Sequence, residues 1–487
     1  MPGALKVWPS WPEFTLKTAE LDPSYRGYKK AIEAEYGAEA LTASWLAVCK
    51  KLETVTDEIA DKGTSVIPVL DFAEVKEGLS EQRKSEMRDR GCFVVRGVID
   101  KEVVDGWFGD LKQYVADNRA DIGGWPKETP FVLRLFWSPT QIKARSHPHS
   151  LLLQRTLNSL WHSNTLPSFA QPLSYADAVR IRPPKIPFFG LGPHIDAGSL
   201  SRWADPTYRK AYAAIFEGRP HEHDAYDLDA RFEAKQALFE GSAHSSVLRA
   251  FQGWTALTDA GPGEGSLLLY PDLKTVIAYL LLRPFFKEPE NKADVMDPTK
   301  WTFDTDSDWF PGTWQADSQN LSESSHPHLR LRECMVNIPA MRAGDSIWWH
   351  ADMCHAVEVE HMGEGDSSVA YVAATPSTPE NERYMRAQLQ DFLKGVAPGD
   401  YSGKGELGFK GWVGDAAILA GEEGRRAAGF ELRSMTLTMV SMLAPELGYY
   451  TGFRLGFLSH VLNNILERIS VHAMQAILRH FASVRQN

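Results

Sequence analysis

Between residues 178 and 375 the apolar residues fall into short runs, at 178–182, 251–258, 266–270, 334–338, 346–350 and 368–374, separated by Gly, Pro and Asp. Runs of strand length with that punctuation predict a sandwich or barrel. Upstream, Tyr28, Ile32 and Tyr36, then Leu41, Trp45, Val48, Leu52 and Ile59, recur at helical spacing and predict two or three helices over 19–62. A strand at 65–72, a charged helix from Val75 to Arg90 and a glycine-bounded strand at 91–98 should follow. Helix signals predominate over 100–175, interrupted by a turn at 123–126. The expected fold class is α+β, a β-rich core with helices on its outside.

Three regions are expected: 1–100, an N-terminal helical segment with the first strands; 101–430, the core with helical insertions; and 431–487, an amphipathic helical extension. The insertions, 203–240 and 273–333, read as loops closing over the core, and the tryptophans after Trp301 favour an ordered cover. In the extension, Phe457, Val461, Ile465 and Ile469 repeat at helical spacing. That face packs on the core or on a second subunit, so a homodimer is one expectation. A membrane-surface helix is disfavoured because the polar face lacks a Lys/Arg cluster.

A net charge of −11 and the lack of a dense basic run speak against a nucleic-acid partner. Cys49, Cys92, Cys334 and Cys354 are widely spaced and form no Cys-x-x-Cys pair, as in a reduced intracellular protein without structural zinc. The first residues lack the apolar centre of a signal peptide, and no apolar run reaches transmembrane length. The expectation is a cytoplasmic protein with no membrane association. No nucleophile elbow, P-loop or dinucleotide fingerprint is present, which leaves hydrolase, NTPase and Rossmann readings without support.

Chemistry concentrates in two stretches. In Gly192-Pro193-His194-Ile195-Asp196, the side-chain period of a strand sends His194 and Asp196 to the same side. A second segment, Gly344-Asp345 through Trp348 and Trp349 to His355, offers another imidazole. Two imidazoles and a carboxylate close one face of an iron octahedron and leave the opposite face for substrate chemistry. A His-x-Asp triplet arises readily by chance in a chain with 15 histidines, and His350-Ala351-Asp352 is another. The first triplet is preferred because it follows a strand and a tight turn, and the second segment then supplies either His350 or His355. The pairs His147/His149, His221/His223 and His326/His328 lie in loop-like contexts and read as solvent-exposed.

The succession Gly-Pro-His194-x-Asp196, Gly253-Trp254-Thr255-Ala256-Leu257-Thr258, Gly263-Glu264-Gly265-Ser266-Leu267 and Gly344-Asp345 with a histidine ten residues on resembles the Fe(II)/2-oxoglutarate oxygenases. Within them it is most similar to the phytanoyl-CoA dioxygenase-like branch and to a cupin-like family of unknown function, over 66–430. The resemblance implies a double-stranded β-helix (jelly-roll, cupin-like) with flanking helices. It also implies Fe(II) on His194, Asp196 and His355, with 2-oxoglutarate and O2 as cosubstrates, but no substrate; the insertions at 203–240 and 273–333 suit closure over a small organic molecule. The family spacing selects His355 over His350.

One departure stands out. In that branch an arginine about eleven residues beyond the distal histidine grips the far carboxylate of 2-oxoglutarate, whereas residues 365–370 here contain none. Arg180 and Arg182 alternate along the strand before the metal motif, and Arg202 follows it. Arg182 and Arg202 are the candidate carboxylate anchors, with Ser368 as a minor contact. The rival reading is a non-catalytic or differently metallated cupin-like binding protein. A protein hydroxylase is a third.

Overall fold

The computed structural model describes residues 1–430 apart from 17–20, 197, 240, 242–244, 316 and 416–417; residues 431–487 lie outside the described set. The large sheet runs in the order Val69–Asp71, Cys92–Arg96, Ser346–His350, Phe251–Ala256, Ser367–Pro376, Val179–Arg182, Val132–Leu133 and Gly124–Trp125, with Pro172–Leu173 pairing the end of Ser367–Pro376. The smaller sheet runs Gln319–Asn320, Leu191–Ile195, His355–Val357, Leu267–Leu269 and Val336–Asn337. Both are antiparallel except where Val69–Asp71 lies parallel to Cys92–Arg96.

From Val179 onward the chain passes back and forth between the two sheets. Val179–Arg182, Phe251–Ala256, Ser346–His350 and Ser367–Pro376 go to the large one; Leu191–Ile195, Leu267–Leu269, Val336–Asn337 and His355–Val357 go to the small one. Registers fix which side chains share a face. Trp349 lies opposite Gln252, Gln252 opposite Ala373, and Trp254 opposite Tyr371. This face meets the small sheet, with the Trp349 ring 5.1 Å from that of His355. The other face of Ser367–Pro376 is covered by the helix Pro148–Asn158. Burial on both faces leaves Phe251–Ala256 buried along its whole length, Gln252 and Thr255 included.

Several sequence expectations need correction. Ser65 and Val66 of the expected 65–72 strand belong to a 3₁₀ turn, Gly63–Val66, and the strand begins only after Pro68, which has no N–H to give a ladder. The charged helix is two helices, Phe72–Glu77 and Glu81–Arg90. Gly78 breaks them apart at φ 93°, and the Ser80 hydroxyl caps the second by accepting from the Arg83 N–H at 3.3 Å. The second insertion is no simple cover. Its helix Lys274–Leu282 is buried from Thr275 to Leu282 and packs on the helix Ala38–Lys62. An all-round apolar helix belongs inside a core. The expected helical extension and its subunit contacts fall on 431–487, outside the described residues.

Candidate metal centre

Two neighbouring strands of the small sheet bring three side chains to one point. His194 and Asp196 sit at the end of Leu191–Ile195, and His355 opens the neighbouring strand directly opposite His194. The ligand atoms of the three lie within 4.8 Å of one another. His194 Nε2 is 3.6 Å from Asp196 Oδ1, and His355 Nε2 is 3.5 Å from Asp196 Oδ2. Donors each about 2.1 Å from one ion stand no more than about 4.2 Å apart, so both separations suit a shared metal.

The backbone sets the tautomers. His194 Nδ1 donates to the Gly192 carbonyl at 2.7 Å, and His355 Nδ1 donates to the Met353 carbonyl at 3.1 Å. A carbonyl only accepts, so each ring keeps its proton on Nδ1 and turns the Nε2 lone pair toward Asp196. The carboxylate is held too. Gln252 Nε2 donates to Asp196 Oδ2 at 3.1 Å, Ser318 Oγ donates to Oδ1 at 3.3 Å, and the Trp349 indole fixes Gln252 by donating to its Oε1 at 2.9 Å.

Electrostatics favours the metal-binding protonation states. Burial, then the neighbouring His355, pushes the His194 imidazole down to about 4, leaving it neutral near pH 7. Burial alone would raise the Asp196 carboxyl. The adjoining imidazoles of His355 and His194, with Arg249, outweigh burial and hold it well below the usual carboxylate range.

His350 stands elsewhere. It follows Trp349 on the strand and so projects from the opposite face. There it stacks on Trp161 at 4.9 Å, its Nε2 donates to the Ala225 carbonyl at 3.1 Å, and its Nδ1 accepts from the Asp352 N–H. The other His-x-His pairs are not uniformly exposed, as their loop setting had suggested. His223, His326 and His328 are buried, and His328 lies among Trp45, Trp301 and Tyr279.

The arginines singled out from the sequence are committed to protein groups. Arg182 donates to the carbonyls of Glu358 and Val359 and lies against Phe131 and Phe188. Arg202 donates to Asp352 Oδ1 at 3.4 Å and to the Asp196 carbonyl at 3.5 Å. Asp352 also takes Arg231 at 2.5 Å and the Tyr212 hydroxyl at 3.0 Å, forming a buried cluster beneath both ligand-bearing segments. Ser368 lies one residue out of step with the inward positions Ser367 and Val369, and among the described residues its hydroxyl has no hydrogen-bond partner.

Residues that sequence reasoning passed over are Gln252, Ser318 and Arg249. Gln252 was legible in principle as a polar residue in an otherwise buried strand. Arg249 lies three residues ahead of it, with its side chain 14% exposed and 3.8 Å from Asp177 Oδ2.

Fold and centre together define a mixed α+β protein with a buried His-Asp-His group able to hold a divalent metal. The chain belongs to the Gig2-like family, whose profile matches residues 19–430. It is 32% identical over 356 residues to the uncharacterized protein YbiU of Escherichia coli K12, covering 70% of this chain and 80% of that one. Its structure is similar to that of the GlcNAc Inducible Gene 2 protein of Candida albicans, with a TM-score of 0.75 and 28% identity over 92% of this chain and 99% of that one. It is likewise similar to the hypothetical protein JW0805 from Escherichia coli, with a TM-score of 0.72 and 31% identity over 86% of this chain and all of that one (100%). Among the described residues no helix is long and apolar enough to cross a membrane.

Proposed function

We propose that this protein is a non-haem Fe(II)/2-oxoglutarate-dependent dioxygenase that oxidises a small organic molecule, hydroxylation being the simplest outcome. One observation carries the reading: two imidazoles with their Nδ1 protons tied to carbonyls and one ionised carboxylate present their lone pairs to a common point. Two histidines and one carboxylate on one face, with the opposite face open, are the donor set of non-haem iron oxygenases. The alternation of strands between two sheets supports a double-stranded β-helix as the scaffold.

Bound there, iron with 2-oxoglutarate and O2 supplies oxidative decarboxylation to succinate and CO2, coupled to insertion of one oxygen atom into a C–H bond of the substrate. The chain supplies the setting. His194, Asp196 and His355 hold the metal. Gln252 and Ser318 keep the carboxylate from rotating, and Trp349 keeps Gln252 in place.

The test is an anaerobic titration of Fe(II)-loaded protein with 2-oxoglutarate, watching for the weak visible charge-transfer band of the chelated keto acid. The band should appear in the parent protein and vanish in Asp196→Ala. Its absence from fully loaded protein would overturn the reading in favour of a differently metallated cupin-like binding protein. That rival draws on the lack of arginine in Ser367–Pro376.

A further inference from the structure

Arginines are numerous in this interior, and nearly all have partners. Arg182 and Arg283 each donate to two carbonyls, Arg202 and Arg231 share Asp352, and Arg180 reaches Ser367. Arg249 differs. Its side chain is 14% exposed, it donates no hydrogen bond among the described residues, and its ion pair with Asp177 is 3.8 Å long, outside hydrogen-bond range.

The guanidinium is nevertheless held in position. It lies over the Tyr175 ring, 5.8 Å from the centroid. Asp177 is fixed in turn by the Tyr401 hydroxyl at 2.6 Å and the Ala178 N–H at 2.7 Å. A guanidinium that is partly exposed and has no hydrogen-bond acceptor among the described residues is free to take an oxyanion with fork geometry.

Location adds the second argument. Arg249 is three residues from Gln252, which touches Asp196 at 3.1 Å. Three residues of chain span at most about 10 Å, so a long side chain at 249 can reach a ligand lying beside the metal. The charge of Arg249 is among those that hold the Asp196 carboxyl down.

We propose that Arg249 is the carboxylate-binding residue of this centre and grips the far carboxylate of a 2-oxo dicarboxylic acid whose keto-acid end lies against His194, Asp196 and His355. The assignment rests on the dioxygenase reading above. It moves the anchor from the last core strand, where Ser367 stands, to the approach to Phe251–Ala256. Asp177, facing the same guanidinium, opposes the incoming anion and weakens its binding.

The experiment compares 2-oxoglutarate with 2-oxobutanoate, which keeps the chelating end and lacks the second carboxylate. Both are titrated anaerobically into Fe(II)-loaded parent protein, Arg249→Gln, Arg249→Lys and Asp177→Asn, with iron content and melting temperature measured on each. The parent should prefer 2-oxoglutarate by about 10- to 100-fold, the worth of one charge-assisted fork. Arg249→Gln should bind the two acids within about threefold of each other, leaving 2-oxobutanoate binding unchanged, and Arg249→Lys should fall between. Asp177→Asn, which keeps Arg249, should tighten 2-oxoglutarate severalfold and leave 2-oxobutanoate alone, a readout that stands even if Arg249→Gln folds poorly. Undiminished preference in Arg249→Gln or Arg249→Lys, or no effect of Asp177→Asn, overturns the assignment while the dioxygenase reading survives. No band with either acid in loaded parent protein overturns both.

Discussion

Replacing Asp352 with asparagine should be among the most damaging single changes in this protein. Asp352 is 1% exposed and binds Arg231 at 2.5 Å, Tyr212 at 3.0 Å and Arg202 at 3.4 Å. Removing one partner of a buried ion pair costs about 3–5 kcal/mol because the other charge is left uncompensated. Here two guanidiniums are left at once, and among the described residues Arg202 Nε and Nη1 and Arg231 Nη1 already lack hydrogen-bond partners. Burial would raise the Asp352 carboxyl, but the charges of Arg231 and Arg202 outweigh it and hold the group well below the carboxylate range. A carboxyl depressed in the folded state contributes its full stability above the unfolded value of about 3.9 and loses it only as pH falls toward the folded one. The penalty of Asp352→Asn should therefore be equal at pH 7 and pH 5.5. Urea unfolding of metal-free protein, followed by tryptophan fluorescence, measures it against Lys101→Ala, which breaks an exposed pair with Asp105 and should cost about 0.5 kcal/mol or less. A loss under about 1 kcal/mol for Asp352→Asn would refute the buried-cluster argument.

His194→Ala and Asp196→Ala should each abolish stoichiometric iron binding while the protein stays folded, as read by metal analysis and circular dichroism; full iron retention in either would remove that residue from the ligand set. Gln252→Leu should lower metal affinity about 10- to 100-fold by freeing Asp196, and competition with a chelator would show the loss; unchanged affinity would deny Gln252 a positioning role. Burial, then Arg283, pushes the His328 imidazole down to about 4, while in the unfolded chain it titrates near 6.5. Its stabilising contribution is thus complete above pH 6.5 and is lost as pH falls toward 4, at up to about 1.4 kcal/mol per pH unit. His328→Phe should flatten that part of the urea-midpoint profile, and an unaltered slope would show that His328 is not the group responsible.

The parts of the centre that strand geometry dictates were legible in the sequence. Period-two alternation put His194 and Asp196 on one side, and the same rule sends His350 away once Trp349 is seen to face inward. The parts that depend on distant partners were not. Arg182 and Arg202 look from the sequence like free cations beside the metal turn, yet they are taken up by Glu358, Val359 and Asp352, roughly 150 or more positions away. His328 sits in a polar loop and reads as exposed, but its ring is enclosed by Trp45 from the helix Ala38–Lys62 and by Trp301. The buried helix Lys274–Leu282 did carry a local signal, Val276 to Leu282 without a polar face, which the search for strand-length runs passed over.

Because the Gly192 and Met353 carbonyls set both imidazoles before any ion arrives, the centre has little reorganisation left to do on loading. A cage prepared in this way is poor at choosing. Affinity for such N and O donors rises from Mn²⁺ through Fe²⁺ to Cu²⁺, with Zn²⁺ and Ni²⁺ also ahead of iron. Selection of iron then falls to which metal the surroundings offer. Protein purified in air over nickel or in zinc-containing buffer should carry those ions at this site and be silent in oxidation assays until stripped and reloaded.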